Sequence, residues 1–282
     1  MLFIVFSLTG FSQLDMNNMH HLAFGHPLSD IPNEANAIVT TYSFRKNEVS
    51  QRITVHFLDE DNRIEDSYAF DEDSNLVSVY FREYVDDQLI EEFRVLHQIG
   101  EMLRIRYTYL NGKLDSIQYA DAFKVLSAGG GEKMRFKKNG SNVLRYDEAG
   151  NISIKYLFDK ENYLYGKIDT LSVTHFFTDD IGNKIKEETT TLTDDPSYWG
   201  GGYNLFTYDS LGRIIGNHIY TKDNESHGKI EYIYSIDGYL SEIISFSNTG
   251  VGSNFYNISY HIIDQETKEK IKKERKLKAV LF

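Results

Sequence analysis

Histidine and carboxylate side chains are the residues most able to do chemistry in this chain, because it contains no cysteine. Thiol nucleophiles, thiolate metal sites and disulfides are therefore excluded. His20, His21 and His26 lie close together, and imidazoles bind zinc or copper. No carboxylate or fourth ligand is spaced to complete a site around them, so an exposed, non-binding segment is favoured. Asp71, Asp73 and Asn75 have the alternate spacing of a calcium loop's first half, without its central glycine or closing glutamate. Gly129-Gly130-Gly131-Glu132-Lys133 lacks the Lys-Ser/Thr ending and the following helix of a phosphate loop. No serine occupies a Gly-x-Ser-x-Gly elbow. Nothing singles out a pair for glycoside chemistry among the 42 acidic residues. The remaining candidate is aromatic: Tyr198, Trp199 (the one tryptophan) and Tyr203 stand among glycines between Asp194 and Asn204. Flat aromatics on a loop stack on sugars or fill a partner's pocket. The competing reading folds this loop back and buries Trp199 over the sheet. The residues thus point to no catalytic group, no metal and no cofactor, with Tyr198, Trp199 and Tyr203 as ligand-binding candidates.

The elements that would position such a loop are strands. An aromatic followed by polar residues, then Gly or Asn, one further residue and an aliphatic recurs along the chain. The clearest copies are Tyr146-Asp147-Glu148-Ala149-Gly150-Asn151-Ile152 and Tyr208-Asp209-Ser210-Leu211-Gly212-Arg213-Ile214. Tyr234–Leu240 and Phe158–Leu164 keep the spacing, and Phe70–Leu76 does so with Ser74 in the glycine place. Looser copies span Phe57–Ile64, Tyr84–Leu89, Tyr109–Leu114 and Phe177–Ile185. In each, the aromatic ends one strand, Asp accepts from nearby backbone N–H groups, Gly or Asn takes positive φ, and the aliphatic opens the returning strand. Ile230, Tyr232 and Tyr234 share one face with Glu231 on the other, and Glu242 sits between Leu240 and Ile244 in the next strand. The pattern predicts an all-β fold: repeated antiparallel hairpins in one long twisted meander from about residue 42 to residue 263. The meander curls into an open shell, a barrel-like sheet or a sandwich. Irregular stretches at 124–140 and 194–204 interrupt the pattern, yet the same repeat on both sides predicts a continuous sheet. Residues 13–41 lack the repeat and read as an irregular lead-in, and residues 264–282 as a charged tail or short helix.

Tyr208-Asp209-Ser210-Leu211-Gly212-Arg213-Ile214 resembles the Tyr-Asp-x-x-Gly-Arg-Leu signature of YD-repeat, or Rhs-like, proteins, and Tyr146–Ile152 is the next best copy. The resemblance extends over most of the chain after Tyr42. It implies repeat architecture, bacterial origin and an extracytoplasmic setting. In that family the repeats wind into a spiralling shell that large members close around a toxic domain. This chain is too short for a full shell, and Asp195-Pro196 is followed by Ser-Tyr-Trp instead of the family's cleavage pattern.

Bulk properties agree with export. Leu2–Leu8 is an apolar run leading to Gly10-Phe11-Ser12 and Gln13, which reads as the core and cleavage site of a secretory signal over residues 1–12. A buried first strand is the competing reading, and no other stretch is apolar and long enough to span a membrane. The formal charge of −12 repels phosphate backbones, which excludes nucleic acid as a partner class. Lys268, Lys270, Lys272, Lys273, Arg275, Lys276 and Lys278 form a local basic cluster that reads as a solvated helix or tail, with a membrane-surface or partner-docking tail as the competing reading. The expectation is a non-enzymatic exported scaffold, at the periplasm, outer-membrane surface or outside the cell, binding a glycan or protein. A partner of an interbacterial toxin system and a glycan-active enzyme are the alternatives.

Overall fold

The computed structural model describes residues 31–32, 34–43, 52–96, 101–126, 132–146, 152–159, 170–192, 201–248 and 253–274. Within them lie sixteen strands and one helix: β1 (Ala37–Ser43), β2 (Arg52–Leu58), β3 (Ile64–Asp71), β4 (Leu76–Val85), β5 (Gln88–Leu96), β6 (Glu101–Leu110), β7 (Lys113–Leu126), β8 (Glu132–Tyr146), β9 (Ile152–Asp159), β10 (Thr170–Thr178), β11 (Lys184–Thr191), β12 (Gly202–Tyr208), β13 (Ile214–Thr221), β14 (Ser226–Tyr234), β15 (Leu240–Ser247), β16 (Ser253–His261) and α1 (Gln265–Glu274). Each strand pairs antiparallel with its sequence neighbours, and β1 pairs with β16, from Ala37↔His261 to Ser43↔Phe255. Of the three shapes open to the meander, the chain adopts the closed ring, which leaves no sheet edge unpaired.

The turns obey one local rule. At the β12–β13 turn, Asp209 Oδ1 accepts from the N–H groups of Leu211 and Arg213, both at 2.9 Å, and Gly212 takes φ +77°. Asp59 and Asp179 do the same work in sister turns and Asp71 accepts from the N–H of Asn75, with Asn62, Gly182 and Ser74 at positive φ. The carboxylates of Asp71 and Asp59 therefore cap turns. Two turns are shorter, Asp86-Asp87 and Asn111-Gly112, with both central residues at positive φ as a tight hairpin requires.

Where the sheet departs from expectation, pairing explains why. β1 starts at Ala37, before the residue-42 boundary, because Ile38, Val39, Thr40 and Thr41 are β-branched and find β2 and β16 on either side. β12 opens at Gly202, inside the stretch read as irregular, and β7 and β8 run far into the other, so the sheet is continuous there. Two loose repeat copies are out of frame: Leu58 and Thr178, not Phe57 and Phe177, precede the capping aspartates, and Lys184, not Ile185, opens β11. A bulge follows almost every turn, so simple alternation fails there. Tyr234 pairs Leu240, but Ile233 pairs Glu242 and Tyr232 pairs Ile243. Leu240 and Ile243 therefore share the face of Tyr232, while Glu242 and Ile244 lie on the other face.

One face of the ring is withdrawn from solvent. Ile105, Ile117, Tyr232, Ile243 and Asn217 are buried, while Arg106, Thr108, Ile233 and His218, which point the other way, are exposed. The buried set is the inner wall. A circular ring of sixteen strands would leave a water channel, and side chains this covered do not line one.

The outer wall over β1–β3 is also covered. Ile263 and Ile271 of the C-terminal segment pack on Ala37, Val55, Phe57, Tyr68 and Phe70. Asp264 caps α1 through the N–H of Thr267 at 2.8 Å, and that bond holds its carboxyl below the usual range. The lysines of α1 are paired: Lys268 with Glu65 at 3.2 Å, Lys270 with Glu266 at 2.8 Å, Lys272 with Asp66 and Lys273 with Glu269. Asn36 clamps the end of the sheet, donating to the carbonyl of Ile263 at 2.8 Å and accepting from its N–H at 2.7 Å.

Candidate functional site

Of the aromatic candidates, Tyr203 lies on the outer wall, and Tyr198 and Trp199 fall outside the described residues. Gly201 and Gly202 explain the glycine run that precedes Tyr203. A Cβ on Gly201, at φ +92°, would stand 2.7 Å from the carbonyl oxygen of Thr189, so only glycine passes β11 at this distance. Tyr203 pairs with Glu188 on one side and Tyr220 on the other. Its ring stacks on Tyr220 with centroids 4.9 Å apart and planes 14° from parallel. Lys186 Nζ stands 5.0 Å from the same ring, 5.4 Å from Phe177 and 2.8 Å from Glu188. The hydroxyl donates to Asn224 Oδ1 at 3.1 Å in the β13–β14 turn. The result is a half-exposed patch of two stacked phenols and a cation–carboxylate pair. A similar unit follows on β14 and β15, where Lys229 lies 4.6 Å from the Phe246 ring and 2.6 Å from Glu231. Such a patch offers aromatic area, one cation and hydrogen-bonding edges to a polar partner, but no polarised nucleophile.

A second concentration of polar groups sits on the inner wall and was not singled out from the sequence. Glu92 on β5 is flanked by Arg82, 2.9 Å away, and Arg94, with the Arg82 and Glu92 side chains 1% exposed. Arg82 Nη1 donates to Ser67 Oγ at 3.0 Å, and Ser67 Oγ lies 2.8 Å from His56 Nδ1. Thr40 closes the row at 3.5 Å from His56 Nε2. Burial, with Arg82 adding to it, pushes His56 down to about 3, so the imidazole is neutral at physiological pH. Tyr107 on the same wall is pushed well above the ordinary phenol range by burial. The signal was present in the strand period: Tyr80 and Arg82, then Glu92 and Arg94, share one face at i, i+2 spacing. What hid it is that charges on a strand read as its solvent side. Among the described residues, no group of three or more His, Asp or Glu is placed to hold a metal ion. His175, His218 and His261 lie on the outer wall, and His20, His21, His26 and His97 lie outside the described residues.

No protein-family model matches the chain, and no curated protein does. Among solved structures it is similar to a porin-like protein from Bacteroides uniformis, at 9% identity over 83% of this chain and 99% of that one, with a TM-score of 0.46. It is also similar to TcdB2-TccC3-TEV, at 14% identity over 76% of this chain and 12% of that one (TM-score 0.29). A LolA superfamily protein from Nitrosomonas europaea matches at 9% identity over 91% and 95% of the two chains (TM-score 0.27). No helix among the described residues is long and apolar enough to cross a membrane.

Proposed function

We propose that this protein is a non-enzymatic scaffold of the cell envelope or its exterior. Its β ring presents the Tyr203–Tyr220–Lys186 patch to a glycan or protein, with Tyr198 and Trp199, a few residues earlier in the sequence, as further contacts. The observation that carries this reading is the stacked phenol pair held half-exposed beside a cation on an outer wall. Stacked tyrosines fixed by backbone pairing and by Asn224 lose little entropy on binding, which favours recognition over simple filling.

The outer wall supports a ring that stands in water. Lys186–Glu188, Lys229–Glu231 and Glu91 with Arg104 and Arg106 all lie on it. A lysine or arginine facing lipid at mid-bilayer costs roughly 2–4 kcal/mol each. The inner charges favour a structural role over catalysis, since Glu92 is held between two guanidiniums and His56 is kept neutral. Export rests on the apolar run at residues 2–8 and places the protein in the periplasm, at the outer-membrane surface or outside the cell.

The test is intrinsic fluorescence of Trp199, titrated with a glycan panel, on the parent protein and on Tyr203→Ala and Tyr220→Ala. The expected result is an emission shift with one ligand class, weakened about tenfold or more in either variant. An emission maximum that no glycan moves, with turnover of any glycan in the panel, would replace the scaffold reading with an enzymatic one.

A further inference from the structure

The longer described turns share one backbone form and differ at their tips. On the rim beside Tyr203, the turns at 71–75 and 221–225 carry only polar tips: Glu72, Asp73, Lys222 and Asp223. On the opposite rim the 59–63 turn is polar too, with Glu60 and Asp61, while three consecutive hairpins put an aliphatic at the tip: Ile181 is 82% exposed, Leu211 74% and Ile236 fully. Turn geometry does not ask for this. The tip residue contributes its backbone N–H to the cap, as Ile181 and Leu211 do to Asp179 and Asp209, and a polar residue such as Asp61 serves equally. Each hairpin adds a second exposed aliphatic just below its turn: Ile185 and Ile215 at the bulges and Ile233 on the outer wall. Neighbouring hairpins stand two strand spacings apart, roughly 10 Å. The six side chains therefore form a repeating apolar band across β10–β15. Single exposed aliphatics are ordinary, but a repeated band rimmed by charge marks a contact surface.

The charge around the band selects its occupant. The three turns hold Asp179, Asp180, Asp209 and Asp237 against Arg213 alone, and Arg213 is already 2.7 Å from Asp209. An anionic lipid surface is repelled, and so is a second copy approaching rim to rim. We infer that this rim docks a protein partner whose contact face is apolar and basic, at a site separate from the Tyr203 patch. Recognition needs the aliphatic tips for burial and the aspartates for orientation and rate.

The experiment uses the triple variant I181S/L211S/I236S, whose tips are exposed in the folded protein. Far-UV circular dichroism checks that its fold is kept. The probe is a fluorescein-labelled amphipathic peptide of Leu and Lys, followed by anisotropy, with a Leu/Glu peptide as charge control. Leu192→Ser, an exposed aliphatic of the other rim, is the position control. The expected result is binding of the Leu/Lys peptide that weakens about tenfold or more in the triple variant and in high salt, and is unchanged in Leu192→Ser. Equal binding by parent and triple variant would overturn the inference. So would flotation of the parent with phosphatidylcholine or phosphatidylglycerol vesicles that the triple variant loses, which would assign the band to lipid. Neither outcome touches Trp199 emission, so failure here is distinguishable from failure of the Tyr203 reading.

Discussion

Tyr234 donates its hydroxyl proton to the carbonyl of Ile214, 3.0 Å away and one hairpin back. The same bond joins Tyr84 to Ile64, Tyr109 to Leu89, Tyr146 to Leu114, Tyr208 to Lys184 and Tyr260 to Leu240. The repeat aromatic thus ends its own strand and pins the residue that opens the previous returning strand. Arg213 adds a second link. It holds Asp209 of its own turn, lies 4.4 Å over the Tyr234 ring and donates to the carbonyl of Gly238 in the next turn. Arg63 does the same with Asp59, Tyr84 and Asp87. The aspartate and arginine of one turn and the tyrosine of the next hairpin thus lock hairpin to hairpin.

Removing one such hydroxyl should cost about 1 kcal/mol, because a half-buried carbonyl loses its donor. Tyr234→Phe and Tyr84→Phe are each expected to lower the urea midpoint without changing the slope, and the double variant to show nearly additive loss. An unchanged midpoint in both would mean the bonds are replaced by water at no cost. Burial pushes the Tyr84 hydroxyl up to about 12. Its contribution is complete below pH 10, the unfolded value, and is lost between pH 10 and about 12. Tyr84→Phe should flatten the stability curve over that window.

The buried ion set predicts a larger effect. Glu92→Gln leaves Arg82 and Arg94 facing each other without their carboxylate, and the expected loss is about 3–5 kcal/mol. Replacing all three together with Met, Leu and Met should recover most of it, since no buried charge remains unpaired. Denaturation midpoints for both variants check this. A triple variant as unstable as Glu92→Gln would show that the charges themselves specify the inner wall.

His56 gives a pH signature. The unfolded chain takes up a proton near 6.5, while the folded protein holds the ring neutral until about 3. Below pH 6.5 the unfolded state binds more protons, so stability falls as pH drops from 6.5 towards 3, by up to about 1.4 kcal/mol per unit. Carboxylates also contribute to acid unfolding, and the difference between parent and His56→Gln isolates the imidazole. Parallel pH curves for the two proteins would refute the assignment.

Two glycines separate backbone strain from close approach. Gly212 has φ +77° and open space where a Cβ would stand. Gly212→Ala should cost about 1 kcal/mol through φ alone, and Gly212→Asn less, since Asn62 and Asn224 hold the same conformation in sister turns. A Cβ on Gly228 would sit 2.6 Å from the carbonyl oxygen of Phe246. Gly228→Ala should cost about 1–3 kcal/mol by overpacking, with Asn giving no relief. Thermal melts of the four variants distinguish the two causes.

The sequence by itself determined what five or six consecutive residues can encode. Asp209, Gly212 and Ile214 announce a capped turn, a left-handed residue and a new strand because each acts on backbone groups two to four residues away. Their recurrence is enough to give an antiparallel, all-β hairpin series. Degenerate copies lost their frame, since Phe57 and Phe177 look as apolar as Leu58 does, and only the sheet register separates inside from outside. The bond from Tyr234 to Ile214 crosses a whole hairpin and leaves no local trace. Tertiary structure alone decided that the ring closes, because the meeting of Ala37 with His261 depends on the accumulated twist and stagger of sixteen strands. It alone brought Glu92 between Arg82 and Arg94 on a covered wall, and gathered Ile181, Leu211 and Ile236 on one rim. Which face of a strand is buried, and which end of a barrel a turn occupies, are set by remote neighbours whose identity no short stretch of chain contains.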